Sequence, residues 1–107
     1  MAAFVREEDE RAAILHVVGE VDLANANELE SAFSKLAARA APRIVVDLTG
    51  CTYLDSTGLR VVARARRHDG DRVRIVVPAA GQLRRIFEVT GLIDELGVLG
   101  TVEDSLV

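Results

Sequence analysis

The sequence predicts a single α/β domain, residues 1–107, with a mixed, mostly parallel sheet. Three observations predict it. Short apolar runs rich in β-branched residues alternate with segments whose apolar residues recur at three-and-four spacing. The elements follow the order hairpin, helix, strand, helix, strand, helix, so right-handed βαβ crossovers make the sheet parallel beyond an amino-terminal antiparallel hairpin. The chain has 107 residues, half of them hydrophobic, which suits one core that needs neither metal nor disulfide.

Phe4 and Val5 mark a short edge strand, the charged stretch Glu7 to Arg11 a turn, and Ala12 to Val18 a strand apolar on both faces. Gly19 and Glu20 break that pattern. Asp22 then precedes Leu23, Ala26, Leu29, Phe33, Leu36, Ala37 and Ala40, the spacing of an amphipathic helix that stops before Pro42. Arg43 to Leu48 (RIVVDL) has the near-continuous apolar character of a buried parallel strand, and Thr49 to Tyr53 reads as the loop after it. A second helix begins near Ser56, buries Leu59, Val62 and Ala63, and ends around His68 to Gly70. Arg72 to Val77 forms the next strand, stopped by Pro78. Leu83, Ile86 and Phe87 mark a third helix, with Gly91 where a left-handed carboxyl cap is wanted. Leu92 to Leu96 pack the return, Val98 and Leu99 make a last short strand, and Thr101 with Asp104 resembles the start of a brief terminal helix.

Composition narrows the function classes. The amino terminus MAAFVREEDER lacks the basic stretch and apolar block of a signal peptide, and no apolar run approaches the ~20 residues a bilayer-spanning helix needs. The expectation is a soluble, cytoplasmic protein. Net charge is −4, and Arg60, Arg64, Arg66, Arg67, Arg72 and Arg74 are interleaved with Asp69 and Asp71 without an aromatic residue, which argues against a nucleic-acid surface. The single cysteine, Cys51, has no neighbouring base to activate it and reads as a small half-buried residue at a strand end.

The loops that follow the parallel strands gather at the carboxyl edge of such a sheet, where functional groups concentrate. Gly19 to Asp22 and Cys51 to Gly58 therefore share one surface. Within the second segment, Tyr53-Leu54-Asp55-Ser56-Thr57-Gly58-Leu59 lies between a buried strand and an amphipathic helix. Asp55 and Ser56 are both good helix N-cap types. Gly58 costs the helix about 0.5–1 kcal/mol against alanine, so it is either tolerated near a helix end or required by a close approach of a partner backbone or ligand. A hydroxyl at a helix amino terminus also suits a phosphate, because free amides and the positive dipole end favour an anion.

Asp55-Ser56-Thr57-Gly58-Leu59 resembles the diagnostic stretch of the STAS domains, named for sulfate transporters and anti-sigma-factor antagonists. The resemblance extends to the Gly19-Glu20-Val21-Asp22 turn, the valine-rich strand ending in Asp47-Leu48, and Leu83-Arg84-Arg85-Ile86-Phe87 through Gly91-Leu92. It implies an anti-sigma-factor antagonist whose Ser56 is phosphorylated by a partner that is both anti-sigma factor and serine kinase, with Thr57 the second-choice acceptor. Unmodified protein binds that partner and frees a sigma factor. A phosphatase acting on phosphorylated Ser56 resets the switch. Asp22, Asp55, Ser56, Thr57, Gly58 and Leu59 then form the partner-binding surface, Asp55 orienting the serine hydroxyl, while capping preference alone makes Asp22 a helix N-cap. Relatives often carry a small residue where this chain has Arg60, and few residues follow Thr101.

Other classes fit less well. Asp55 and Gly58 are spaced too widely for an aspartic-protease signature, and one copy cannot supply two carboxylates. His16 lies within an apolar strand as a core or sheet-face histidine, and His68 stands twelve residues along the helix from Ser56, roughly 18 Å at 1.5 Å per residue. Neither is placed as a base for a Ser/His/Asp hydrolase. No phosphate-cradling GxxxxGK[ST] or GxGxxG stretch occurs. The expectation is a protein that is not an enzyme, with no metal, no cofactor, no nucleic acid and no membrane, a monomer or weak dimer. Its start at a methionine favours a free-standing protein over the alternative, a scaffold or sensor module of a larger assembly or a regulatory domain of an anion transporter.

Overall fold

The first chain reversal is set by Asp9, whose Oδ1 accepts from the amides of Arg11 at 2.8 Å and Ala12 at 3.1 Å. It joins strands Ala2–Glu8 (β1) and Ala13–Val21 (β2), which pair antiparallel with Val5 opposite His16. The computed structural model describes residues 2–100, 102 and 106. After the hairpin come helix Ala26–Ala37 (α1), strand Ile44–Leu54 (β3), helix Ser56–Asp69 (α2), strand Val73–Val76 (β4), and helices Gln82–Val89 (α3) and Leu92–Glu95 (α4).

The four strands lie in the order β1-β2-β3-β4, with β2, β3 and β4 parallel. This is the predicted α/β fold with its antiparallel amino-terminal hairpin. Crossovers that step repeatedly in one direction place their helices on one face of the sheet. There Leu29 and Leu36 of α1, Val62 of α2, Leu83 and Phe87 of α3, and Leu92 and Leu96 bury against Leu15, Val17, Val46, Leu48 and Ile75. On the opposite face a smaller cluster of Ala12, Ile14, Val45 and Val76 is covered by Leu99, Val102 and Leu106.

Several boundaries differ from the sequence expectation. β1 runs through Glu7 and Glu8, expected in the turn, because edge strands pair through the backbone whatever their side chains carry. β3 continues through Thr49 to Tyr53, expected as a loop. Its buried hydrophobic residues after Val46 are Leu48, Cys51 and Leu54, spaced two and then three apart, since register shifts against β2 carry the core-facing positions out of strict alternation. α1 begins at Ala26, so Leu23 is 75% exposed and outside the helix. A 3-10 turn at Gly70–Arg72 shortens the start of β4. Leu99 makes a single parallel bridge to Val76 rather than a strand, through Leu99 N to the Ile75 carbonyl at 2.8 Å and Val77 N to the Leu99 carbonyl at 3.1 Å. Gly91 takes φ +76, the left-handed conformation expected of it between α3 and α4. The terminal helix start expected at Thr101 and Asp104 lies outside the described residues.

Candidate functional site

β2 and β3 end together, Val21 paired with Leu54, so the segments that follow them meet at one edge of the sheet. The β2–α1 turn is closed by reciprocal bonds. The Asp22 amide donates to Asn25 Oδ1 at 2.9 Å, the Ala24 amide to Asp22 Oδ1 at 2.9 Å, and Asn25 Nδ2 to the Glu20 carbonyl at 2.9 Å. Asp22 makes the capping contacts that capping preference suggested, its Oδ1 accepting from the Ala24 amide and its carbonyl accepting from the Ala26 amide, the first of α1, at 2.9 Å. Asn25 directly precedes α1 and makes no side-chain cap bond of its own; its Oδ1 returns to the Asp22 amide, the reciprocal half of a capping box.

Asp55 is the N-cap of α2, as expected, and it has a second task. Its Oδ1 accepts from the Gly58 amide at 3.0 Å and its Oδ2 from the Leu23 amide at 3.1 Å, while its own amide donates to the Val21 carbonyl at 3.1 Å. One half-buried carboxylate thus ties the two loops together. Both oxygens serve main-chain amides, and among the described residues no hydrogen bond joins Asp55 to the Ser56 hydroxyl. Asn25 and the amide of Leu23 were not anticipated as parts of this site. The Asp22-x-x-Asn25 spacing was the signal for the first, whereas nothing local in the sequence points to the second.

Ser56 occupies the first residue of α2 with its side chain exposed, Thr57 is half-buried, and Leu59 packs partly against the core. The amides of Ser56 and Thr57 belong to the first helical turn, which has no intrahelical acceptor to offer them. Gly58 is buried. A Cβ at this position would stand 2.6 Å from Leu54 Cδ1 and 2.9 Å from Val21 Cγ1, so the close approach that requires glycine is between α2 and the protein's own sheet. Arg60 is exposed one turn beyond Ser56.

Other candidate residues are placed elsewhere. Cys51 is buried, its Sγ donates to the Tyr53 carbonyl at 3.2 Å, and burial pushes the thiol pKa up. It is a packed core thiol rather than a nucleophile. His16 lies on the sheet face opposite the main core, with Nδ1 2.7 Å from Asp47 Oδ2 and Nε2 2.7 Å from Glu7 Oε1. Among the described residues no helix is long and apolar enough to cross a membrane.

The family model "Mlab, STAS domain" matches residues 4–100. The chain is 33% identical over 95 residues to the anti-sigma-F factor antagonist RsfB of Mycobacterium tuberculosis, covering 88% of this chain and 78% of that protein. It is 30% identical over 92 residues to the anti-sigma-B factor antagonist of Listeria monocytogenes, covering 84% and 81%. The crystal structure of an anti-sigma factor antagonist from Mycobacterium paratuberculosis superposes with a TM-score of 0.89 at 27% identity, covering 99% of this chain and 92% of that one. With the hairpin, the parallel crossovers and the Asp55–Leu59 segment at the carboxyl edge all in place, the chain belongs to the STAS-domain family of anti-sigma-factor antagonists.

Proposed function

We infer that the chain is a cytoplasmic, non-enzymatic protein switch whose state is set by a phosphate on Ser56. Unmodified, it binds an anti-sigma factor that is also a serine kinase and so releases a sigma factor. Phosphorylated, it dissociates, and a phosphatase restores it. The observation that carries this reading is Ser56 itself. It is the exposed first residue of α2, at the sheet edge beside the Asp22 turn, with first-turn amides positioned to bear an anion.

In this scheme the partner contacts the surface formed by Asp22, Asp55, Ser56, Thr57 and Leu59. Gly58 contributes from beneath by letting α2 lie against Val21 and Leu54. Thr57 is the weaker acceptor because it is half-buried where Ser56 is exposed.

The test begins with unmodified protein as bait, identifying the partners it recovers. The purified kinase partner is then incubated with this protein and ATP, and the phosphate is mapped by mass spectrometry. Ser56→Ala should abolish incorporation and Thr57→Ala should not. Phosphate that persists in Ser56→Ala and vanishes in Thr57→Ala overturns the assignment.

A further inference from the structure

Glu7, His16 and Asp47 lie on three adjacent strands, on the sheet face away from α1 to α4. Asp47 is directly across from His16 in the β2–β3 register. Glu7 is the diagonal neighbour of His16 on β1, since Val5 faces His16 and Glu7 faces Ile14. The imidazole spans the row, with 2.7 Å contacts to a carboxylate oxygen from each ring nitrogen. Asp47 is anchored in turn, its Oδ1 accepting from the Thr49 amide at 2.9 Å and the Thr49 hydroxyl at 2.7 Å.

Donor counting decides the protonation state. A neutral imidazole has one N–H donor and one acceptor lone pair, whereas an ionised carboxylate only accepts. Two carboxylates at 2.7 Å on opposite nitrogens are both satisfied by the imidazolium alone. In the neutral ring, one lone pair would face a carboxylate oxygen, and that contact must open.

We propose that Glu7, His16 and Asp47 form a proton-controlled clamp that fastens the amino-terminal strand across the sheet and loosens it when His16 loses its proton. β1 is an edge strand paired with β2 alone, so the Glu7 contact is its side-chain tie on this face. The other groups facing the row do not compete for the ring among the described residues. Val5 on β1, Ile14 and Val18 on β2, Val45 on β3, Val76 on β4, and Val102 and Leu106 above them are apolar. Arg74 of β4 turns its Nε to the Asp71 carbonyl at 2.9 Å.

Titration supports the geometry. Burial lowers the His16 pKa, but its bonds to Glu7 and Asp47 outweigh that, and it ends above the ordinary 6.5. A raised folded-state value stabilises the folded protein fully below pH ~6.5 and fades as pH climbs through the folded value. Glu7 is largely exposed, which limits the tie to about 1 kcal/mol.

Two measurements on the full chain test the clamp. The first follows the imidazole by nitrogen-resolved NMR, with His16→Gln assigning the signal. At neutral pH both ring nitrogens should show protonated shifts, and the titration should lie above that of the urea-unfolded protein and move down in Glu7→Gln. The second is amide hydrogen exchange, corrected for intrinsic rate, taken as the protection of β1 relative to the centre of β3. Between pH 6 and pH 9 this ratio should fall about fivefold in wild type, the factor equivalent to ~1 kcal/mol, and stay flat in His16→Gln. A neutral ring at pH 7, a titration unmoved by Glu7→Gln, or a fall of equal size in His16→Gln would overturn the proposal.

Discussion

Asp55 and Leu23 stand 32 positions apart in the chain and are joined by a 3.1 Å hydrogen bond from the Leu23 amide to Asp55 Oδ2. The other oxygen of that carboxylate caps α2 through Gly58. Removing it should therefore cost more than an ordinary cap. Asp55→Ala is expected to lose about 1–2 kcal/mol, since cap removal alone costs ~1 kcal/mol, and to lower the melting temperature by roughly 4–8 °C per kcal/mol. Asp55→Asn keeps an oxygen for Gly58 and should lose less. Thermal unfolding followed by circular dichroism checks both, and an unchanged melt in Asp55→Ala would show that the bridge contributes nothing.

Gly58→Ala sets two effects against each other. Alanine improves helix propensity by up to about 1 kcal/mol, while the added methyl meets Leu54 and Val21 at 2.6 and 2.9 Å. Overpacking costs about 1–3 kcal/mol, and Val21 is stiff at χ1, so the clash should win by about 1 kcal/mol. Gly58→Val should lose more. Urea denaturation measures the difference, and a stabilised Gly58→Ala would show that α2 shifts to accommodate the methyl.

Phosphorylation of Ser56 should end partner binding while leaving the fold intact. The group adds about −1.5 to −2 charges at neutral pH, which the free amides at the start of α2 can bear in the free protein. In the complex the charge must be desolvated or displaced. A loss of ~3 kcal/mol would weaken binding by more than about a hundredfold. Purified phosphoprotein and Ser56→Asp should melt close to wild type and show binding nearly lost in calorimetric titration with the anti-sigma partner. Equal affinity in both forms would refute the switch.

Acid stability should depend on Asp47. Burial raises its pKa, but the Thr49 hydroxyl and amide and His16 outweigh that and hold it below the ordinary 3.8. A depressed folded-state pKa stabilises the protein above the unfolded value, and that contribution is lost as pH falls through the folded one. Wild type should thus lose stability below about pH 4 more steeply than Asp47→Asn. Thr49→Val, which removes the 2.7 Å hydroxyl bond, should cost about 1 kcal/mol at pH 6. Denaturant midpoints measured from pH 2 to pH 6 report both effects, and parallel curves for wild type and Asp47→Asn would contradict the assignment.

The sequence by itself determined the order of elements, the parallel sheet and the position of Ser56 at a helix start, because these depend on local signals. Apolar periodicity separates RIVVDL from the helix after it, and Asp55 caps its own helix three residues on. Gly91 is needed where the backbone turns left-handed. Properties that depend on residues distant in the chain were not legible. The extension of β3 through Thr49 to Tyr53 needed β2 beside it, since a bulged register hides the alternation that identifies a strand. Gly58 is glycine because Val21 and Leu54 press against it, and its own neighbours carry no sign of that contact. Asp22 and Asn25 are both acceptable caps by residue type, and only the folded turn shows them acting as a reciprocal pair ahead of Ala26. His16 and Asp47 each stand as one polar residue in an apolar strand. Parallel pairing in a particular register, with Glu7 diagonal on the edge strand, was required to bring the ring nitrogens of His16 to 2.7 Å from both carboxylates.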